Sequence, residues 1–591
     1  MTLPADLAAT FCATLVDEWA RSGVTDAVVC PGSRSTPLAV ALAAEPRLRV
    51  HVRLDERSGG FFGLGLALAT GRPVVVLTTS GTAAAELHAA VVEAHQGRAP
   101  LVVCTADRPP ELHHVGAPQT IEQSGLFGRA ARLALDPGVP DEAGLSGWRS
   151  LAARAVLEAT SGPLGPGPVH LNLPFREPLV GQPRELPPGR PGGAPWHRAA
   201  RGAVPDMAAV SGLSRLLSST SRGVVVAGGG AGAPSPALVV SLGARLGWPV
   251  LADPRARCAA DSSEGGGVLV GGGVLVGAAD SLVRCRTFAE AMLPEVVLRL
   301  GALPASSALA AWLSSKRRSG AAQVAVDPFW RWQDPGRELD QVVCADPDAV
   351  LRLLLAELGA RAPEGSTGWA AEWRRAEDCA QAAVDRVLAD HPEPTEPAVA
   401  RRLYALAEGT SSLVVSSSMP VRDLEWFGRP RAEPPRVLAN RGANGIDGVV
   451  STMLGVVAGS AGTATYGLVG DLAVLHDASA LVRSTGERPA GGRFRCIVVD
   501  NAGGGIFSFL PQATALDGET FELLFGTPQL PAVADLVSAC GFACSQPATM
   551  DRFEGAVREE ASGFVLVRTE RKSNARVHAE LSAAVEQAIS S

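Results

Sequence analysis

Gly467-Leu-Val-Gly-Asp-Leu-Ala-Val-Leu-His-Asp477, followed after a helix-like span by Cys496-Ile-Val-Val-Asp-Asn-Ala-Gly-Gly-Gly-Ile-Phe507, decides how the chain is read. Two apolar runs each stop at a turn that carries an acid or an amide. Thr465–Val469 ends at Gly470-Asp471, and Cys496–Val499 ends at Asp500-Asn501. Short apolar runs closed by Gly and Asp have the pattern of parallel strands buried on both faces. In such sheets ligands bind at the carboxyl ends of the strands. The thirty positions from Asp471 to Asn501 leave room for one crossover helix between neighbouring parallel strands. A carboxylate and an amide at that edge both offer hard oxygen ligands, which suits Mg2+ shared with substrate phosphates. Gly503, Gly504 and Gly505 let the backbone approach such a group closely. Gly-Asp-Leu alone is also compatible with a plain strand-to-helix turn capped by Asp471. The pair of strand ends at this spacing favours a metal–diphosphate clamp.

The rest of the chain repeats this alternation, which predicts an α/β protein with parallel sheets. Leu7–Ser22 has helical periodicity, and Thr25–Cys30 is a short strand entering Pro31-Gly-Ser33-Arg34-Ser-Thr36. A Gly-Ser turn before a helix presents unpartnered N–H groups to an anion, and Arg34 adds a planar fork for carboxylate or phosphate. A capped helix with a solvated arginine fits that segment equally well. Val50–Leu54 is read as a strand running into Asp55-Glu56-Arg57-Ser58-Gly-Gly, with a buried helix over Phe61–Ala69. Pro73–Thr78 is a strand followed by Thr79-Ser80-Gly81-Thr82 and a helix over Ala83–Ala94, and Leu101–Thr105 leads into Ala106-Asp-Arg108-Pro-Pro. Ser412–Val415, closed by Ser416-Ser-Ser418-Met-Pro-Val-Arg422, and Val437–Ala439, closed by Asn440-Arg441-Gly442, continue the pattern.

Composition narrows the class. A chain of 591 residues exceeds one core and implies three or four domains. A net charge of −7 argues against nucleic acid as the main partner. No run of 18 or more apolar residues is free of breakers, so no membrane span is expected. Met1–Ala20 carries Asp6, Asp17 and Glu18 and no basic start, unlike a signal peptide. The cysteines are scattered, with only Cys540 and Cys544 close together, so reduced thiols in a cytoplasmic protein are expected rather than a zinc site. Gln182–Pro205 and Gly359–Thr367 have linker composition. Gly265–Val276 repeats Gly-Gly-Gly-Val-Leu-Val and is read as a loop expansion. Gly223–Ala227 entering Gly228–Gly232, with Asp253 further on, is a weak dinucleotide signal. It keeps open a non-catalytic nucleotide-binding regulatory protein.

Together these motifs resemble those of the thiamine diphosphate enzymes, and most closely the menaquinone-pathway 2-succinyl-5-enolpyruvyl-6-hydroxy-3-cyclohexene-1-carboxylate synthases. The likeness rests on Gly470-Asp471-Leu472 with Asn501, Glu56-Arg57-Ser58-x-Gly, Arg108-Pro-Pro with Gly116-Ala-Pro-Gln119, and Asn440-Arg441 through Ile446. It covers the first and last thirds well and the middle poorly. It implies three Rossmann-like domains: 1–190 for the aminopyrimidine, 191–390 as a central domain with linkers, and 391–591 for the diphosphate. It implies thiamine diphosphate with Mg2+, or Mn2+ in its place, held by Asp471, Asn501 and Gly503.

By the same resemblance, Glu56 protonates the aminopyrimidine ring, so that the exocyclic imine can remove the C2 proton and make the nucleophile. Ile446 would wedge under the cofactor. Thr79, Ser80, Gly81, Ser418, Gly470, Leu472 and Gly504 would also contact it. Ile506 and Phe507 would wall the site against water. Ser33, Arg34, Arg108, Gln119, Arg422 and Arg441 would hold substrate, with Gln119 at the reacting centre. So many arginines suit 2-oxoglutarate and isochorismate, which carry several carboxylates, better than pyruvate. The implied reaction is addition to the ketone of 2-oxoglutarate, loss of CO2, and conjugate addition of the succinyl carbanion to isochorismate. A homodimer or homotetramer is implied as well. Ser306 and Ser307 stand where the family often has a basic pair. An acetolactate synthase-like enzyme is the alternative within the same chemistry.

Overall fold

The computed structural model describes residues 4–199, 204–260, 273–359, 362–460, 462–482, 492–530 and 532–590. It contains three six-stranded sheets whose strand pairs are all parallel. The first comprises β1 (Asp26–Val29), β2 (Arg49–Val52), β3 (Val74–Thr78), β4 (Leu101–Asp107), β5 (Ala134–Leu135) and β6 (Val169–Pro174), in the order β2-β1-β3-β4-β6-β5. The second comprises β7 (Gly223–Ala227), β8 (Pro249–Ala252), β9 (Val274–Val276), β10 (Val296–Leu300), β11 (Ala322–Val326) and β12 (Gln341–Val343), in the doubly wound order β12-β11-β10-β7-β8-β9. The third comprises β13 (Ser412–Val415), β14 (Arg436–Leu438), β15 (Thr465–Gly470), β16 (Phe494–Asp500), β17 (Cys544–Ser545) and β18 (Gly563–Arg568), in the order β14-β13-β15-β16-β18-β17. The third sheet therefore repeats the strand order of the first. In both, the chain reverses its direction of winding beside the first strand, which opens a crevice at the carboxyl ends.

The strands form where the sequence is continuously apolar. Val74–Thr78, Leu101–Asp107 and Val169–Pro174 are buried at every position. The clamp strands β15 and β16 are neighbours, with Gly467 opposite Cys496 and Gly470 opposite Val499. Three helices differ from expectation in their bounds, the first running Pro4–Arg21 rather than Leu7–Ser22. The helix read over Phe61–Ala69 begins at Glu56 and runs to Thr70, because Asp55 caps it by accepting the Ser58 N–H at 2.8 Å. The helix read over Ala83–Ala94 is two, Thr82–Glu86 and His88–Gly97. Most of the Gly265–Val276 repeat lies outside the described residues, and its end, Val274–Val276, is β9. All ten cysteines are free thiols. Among the described residues no helix is long and apolar enough to cross a membrane.

The chain divides into two compact units. The first is Met1–Arg201 with Asn440–Gly462 and Ala473–Gly492; the second is Gly202–Ala439 with Thr463–Leu472 and Arg493–Ser591. The first holds the first sheet, packed with Phe11, Trp19, Trp148 and Phe175 on one face and Phe61, Phe62 and Phe127 on the other. The second unit holds the other two sheets, with a tryptophan cluster of Trp312, Trp369 and Trp373 beside Phe288.

Within the first unit the helices Glu56–Thr70 and Val449–Gly459 cross at backbone distance. A Cβ on Gly65 would lie 2.0 Å from the Thr452 carbonyl oxygen, and one on Gly455 would lie 2.1 Å from that of Phe62. The obstacle is backbone, which cannot rotate away. Gly65→Ala is therefore expected to destabilise by about 1–3 kcal/mol or more, the usual result of overpacking, and to be seen as a lower thermal midpoint.

Candidate active site

In the first unit three turns meet at the carboxyl edge of the sheet, after β1, β3 and β4. A Cβ on Gly32 would lie 2.4 Å from that of Thr79, so the first two turns touch. Arg108 donates to Ser80 Oγ, and Gln119 Nε2 donates to the Ser80 carbonyl at 3.5 Å. Gly81 packs on the Gln119 backbone, and Gln119 itself is held at φ 54°. Arg34 is buried, donating to the Phe175 carbonyl at 2.9 Å and to the Glu177 carboxylate at 3.1 Å. Burial, and then the charge of Arg34, hold the Arg108 guanidinium below its ordinary range. Two arginines close enough to repel each other at one strand edge offer donors suited to an anion. Ser33 is exposed, and its carbonyl accepts the Thr36 hydroxyl at 2.6 Å.

Glu56 occupies the first helical position after β2. Burial, then the charges of Asp55 and Glu86, raise its carboxyl above the usual range. The neighbouring Arg57 donates to the His476 carbonyl at 2.8 Å. A carboxyl at this place holds its proton more tightly than a solvated glutamate does.

Ile446 is half-buried in the loop before the Val449–Gly459 helix, with half-buried Arg441 at the start of that loop. The loop is anchored by a residue the sequence reading missed. Buried Glu93 accepts the Gly442 N–H at 2.7 Å and the Ala443 N–H at 2.6 Å. A second missed residue, Gln123, accepts the Gly81 N–H at 2.8 Å and donates to Ala106 and Asn172. Neither carries a sequence signal that names its partner, since Glu93 meets residues 349 and 350 positions away and Gln123 lies in the polar run Thr120-Ile-Glu-Gln-Ser124.

In the second unit Asp471 and Asn501 follow the adjacent strands β15 and β16. Asp471 is buried and accepts two backbone donors, Leu472 N–H at 2.7 Å and Gly503 N–H at 2.7 Å. Burial, reinforced by Asp500, pushes its carboxyl up to about 6 against the pull of those donors. Asn501 Nδ2 donates to Glu396 at 2.9 Å, while its Oδ1 is buried and accepts no hydrogen bond. Glu396, a third missed residue, thereby fixes which end of the amide points away from it. A buried amide oxygen without a donor is costly in a finished structure, and a cation relieves it. Gly503, at φ 135°, leaves no room for a side chain, because a Cβ there would lie 1.8 Å from the Gly526 carbonyl. The donor set of one carboxylate, one orphan amide oxygen and a close backbone suits Mg2+.

Gly470 and Leu472 flank the acid, and Gly504 donates its N–H to the Gly526 carbonyl at 2.8 Å. Half-buried Ile506 and Phe507 follow, with the Phe507 ring 5.2 Å from that of Phe525. Ser418 precedes the Met419–Phe427 helix at φ 72° without a side-chain cap, and its carbonyl accepts Arg422 Nη1 at 2.5 Å.

Two further readings are tested by the second unit. Asp253, the candidate ribose acid, is buried in an ion pair with Arg255. The glycine turn is bonded into its own sheet, Gly228 N–H to the Leu300 carbonyl at 2.9 Å and Ala302 N–H to that of Gly229 at 3.1 Å. Asp253 and the first N–H of the turn are thus both engaged within the chain. Ser306 caps the Ser307–Arg318 helix and donates to Asp280 at 2.5 Å, so its role there is structural.

Residues 10–126 match the N-terminal TPP binding domain of thiamine pyrophosphate enzymes. The chain is 41% identical to the 2-succinyl-5-enolpyruvyl-6-hydroxy-3-cyclohexene-1-carboxylate synthase of Geobacillus kaustophilus over 97% of each chain. It is 39% identical to the Myxococcus xanthus protein of that name over 98% of each chain. It is 42% identical to the Chloroflexus aurantiacus one over 87% of this chain and 85% of the relative. With such identity along almost its whole length, the chain belongs to the 2-succinyl-5-enolpyruvyl-6-hydroxy-3-cyclohexene-1-carboxylate synthase family.

Proposed function

We propose that the protein is a thiamine diphosphate- and Mg2+-dependent synthase that decarboxylates 2-oxoglutarate and adds the remaining four-carbon unit to isochorismate. The single observation that carries the reading is the orphan Asn501 Oδ1 at the end of the strand paired with the one that leads to the buried Asp471 carboxylate. Such an oxygen pair at the ends of adjacent strands supports a cation site in a chain of this family. When bound, thiamine diphosphate supplies the electron sink at which a 2-oxo acid loses CO2.

The chain's own residues supply binding, orientation and proton control. Asp471, Asn501 Oδ1 and the Gly503 carbonyl would hold Mg2+, or Mn2+ in its place. Gly470, Leu472 and Gly504 would line that site. Glu56 would keep a proton for the aminopyrimidine ring, and Thr79, Ser80, Gly81, Ile446 and Ser418 would be further cofactor contacts. Ile506 and Phe507 exclude water from the reacting carbon. Ser33, Arg34, Arg108, Arg422 and Arg441 bind substrate carboxylates, and Gln119 orients the reacting group. The exposed Glu177 carboxylate now on Arg34 is the group that a substrate carboxylate would replace. The domain division at about 190 and 390, a homodimer or homotetramer, and a cytoplasmic location complete the proposal.

The test is CO2 release from 2-oxoglutarate with thiamine diphosphate and Mg2+, with and without isochorismate. Isochorismate-dependent turnover of 2-oxoglutarate is expected. Turnover of pyruvate in its place would transfer the protein to acetolactate synthase-like chemistry. No cofactor-dependent turnover of either acid would end the enzymatic reading.

A further inference from the structure

Asp477 closes the stretch that begins at Gly467, and none of the roles assigned above uses it. It is 0% exposed. Its Oδ2 accepts the Ser451 N–H at 2.6 Å, and its Oδ1 accepts the Ser451 hydroxyl at 2.9 Å and the Ser58 hydroxyl at 3.3 Å. Ser58 Oγ also lies 2.7 Å from Ser479 Oγ. Both serines sit in first turns. Ser58 lies in the helix that Glu56 opens, and Ser451 in the helix that follows the Ile446 loop.

The second of these helices cannot cap itself. Its cap residue is Gly448, at φ 64°, and a Cβ there would lie 1.9 Å from the Phe61 ring of the Glu56 helix. No Ser, Asp or Asn fits at that position, so the first-turn donor is met by a carboxylate from elsewhere in the chain. A negative charge at that helix start is also favoured by the helix dipole. Arg57 ties down the same corner, through its bond to the His476 carbonyl.

We propose that Asp477 is a positioning residue for the reaction, clamping the turn that carries Glu56 to the turn that follows Ile446. It acts through those two residues, and so rests on the roles proposed for them above. Removing it lets the two turns move independently, and misplacement by about 1 Å at a reacting centre can cost on the order of a hundredfold in rate.

The test compares Asp477→Asn, Asp477→Ala and Glu56→Gln in the full chain. In the chain without cofactor, amide exchange at residues 449–453 and 56–60 is expected to quicken by about tenfold in Asp477→Ala, the loss of a cap and its coupled bonds, and by less in Asp477→Asn. In the loaded enzyme kcat is expected to fall at least about tenfold with KM for 2-oxoglutarate nearly unchanged, and Asp477→Asn to retain more activity than Asp477→Ala. Faster exchange with unchanged kcat would make Asp477 a structural cap only and overturn the proposal, as would no change in either. Glu56→Gln separates the two ideas. Full turnover in that variant removes the group to be positioned, whereas its collapse alongside an unaffected Asp477→Asn sinks the Asp477 proposal alone. If Asp477→Ala does not fold, Asp477→Asn carries both readouts.

Discussion

Glu56→Gln is expected to lose about 10²–10⁴-fold in turnover of 2-oxoglutarate with isochorismate, the range supplied by a positioned acid–base group. The substitution keeps shape and a hydrogen-bond donor but has no proton to give up and take back. KM should change little, because the lost interaction belongs to proton control rather than to holding substrate. Steady-state CO2 release and thiamine diphosphate affinity, measured together, check this. Retained turnover at normal cofactor affinity would remove Glu56 from the chemistry.

The raised Glu56 carboxyl adds a sign that can be measured. The folded chain binds this proton more tightly than the unfolded chain does. The group's contribution to stability is therefore complete below its unfolded pKa and is lost as pH rises through the higher folded value. Above that value the charged form costs the fold something that glutamine does not. Glu56→Gln should then melt no lower than the wild type in neutral buffer while being nearly inactive. In the wild type, the Glu56 contribution to activity should decline as pH rises through the same elevated value, and the variant should lack that limb.

The strand ends of both site-bearing sheets were legible because each signal is local. An apolar run and its closing Gly-Asp, Asp-Asn or Thr-Ser-Gly lie within ten residues of each other, and burial on both faces requires that pattern. The start of the Glu56 helix was not legible, since Ser58-Gly59-Gly60 resembles a loop. Its cap comes from Asp55, three residues before the N–H it accepts. The supporting carboxylates were invisible for a different reason. Glu93 meets its loop 349 and 350 positions away, Glu396 meets Asn501 105 away, and Asp477 meets Ser58 419 away. Only the folded chain pairs such groups. Ser306 shows the opposite case. There the sequence singled out a position for binding, and in the fold that serine caps a helix.

Asp471→Asn should produce a chain that folds at least as well and binds Mg2+ and thiamine diphosphate far worse. The wild-type carboxylate sits 5% exposed with its ionisation pushed up to about 6. Relative to an ordinary aspartate, keeping it charged at neutral pH costs the folded chain at most about 3 kcal/mol. An amide removes that cost and can still accept one of the two N–H groups, from Leu472 or Gly503, that now face the acid. What it cannot supply is a full negative charge to a divalent cation that also carries a diphosphate. Losing a ligand should raise the Mg2+ concentration for half-activation by at least the 10–100-fold typical of outer-shell partners. Calorimetric titration of Mg2+ with thiamine diphosphate reads the affinity, and the thermal midpoint of the cofactor-free chain reads the fold. A midpoint unchanged or raised, with affinity lost, identifies a residue retained for what it binds rather than for what it stabilises. A midpoint that falls sharply with affinity intact would instead make Asp471 the plain strand-to-helix cap that its Gly-Asp-Leu sequence also permits.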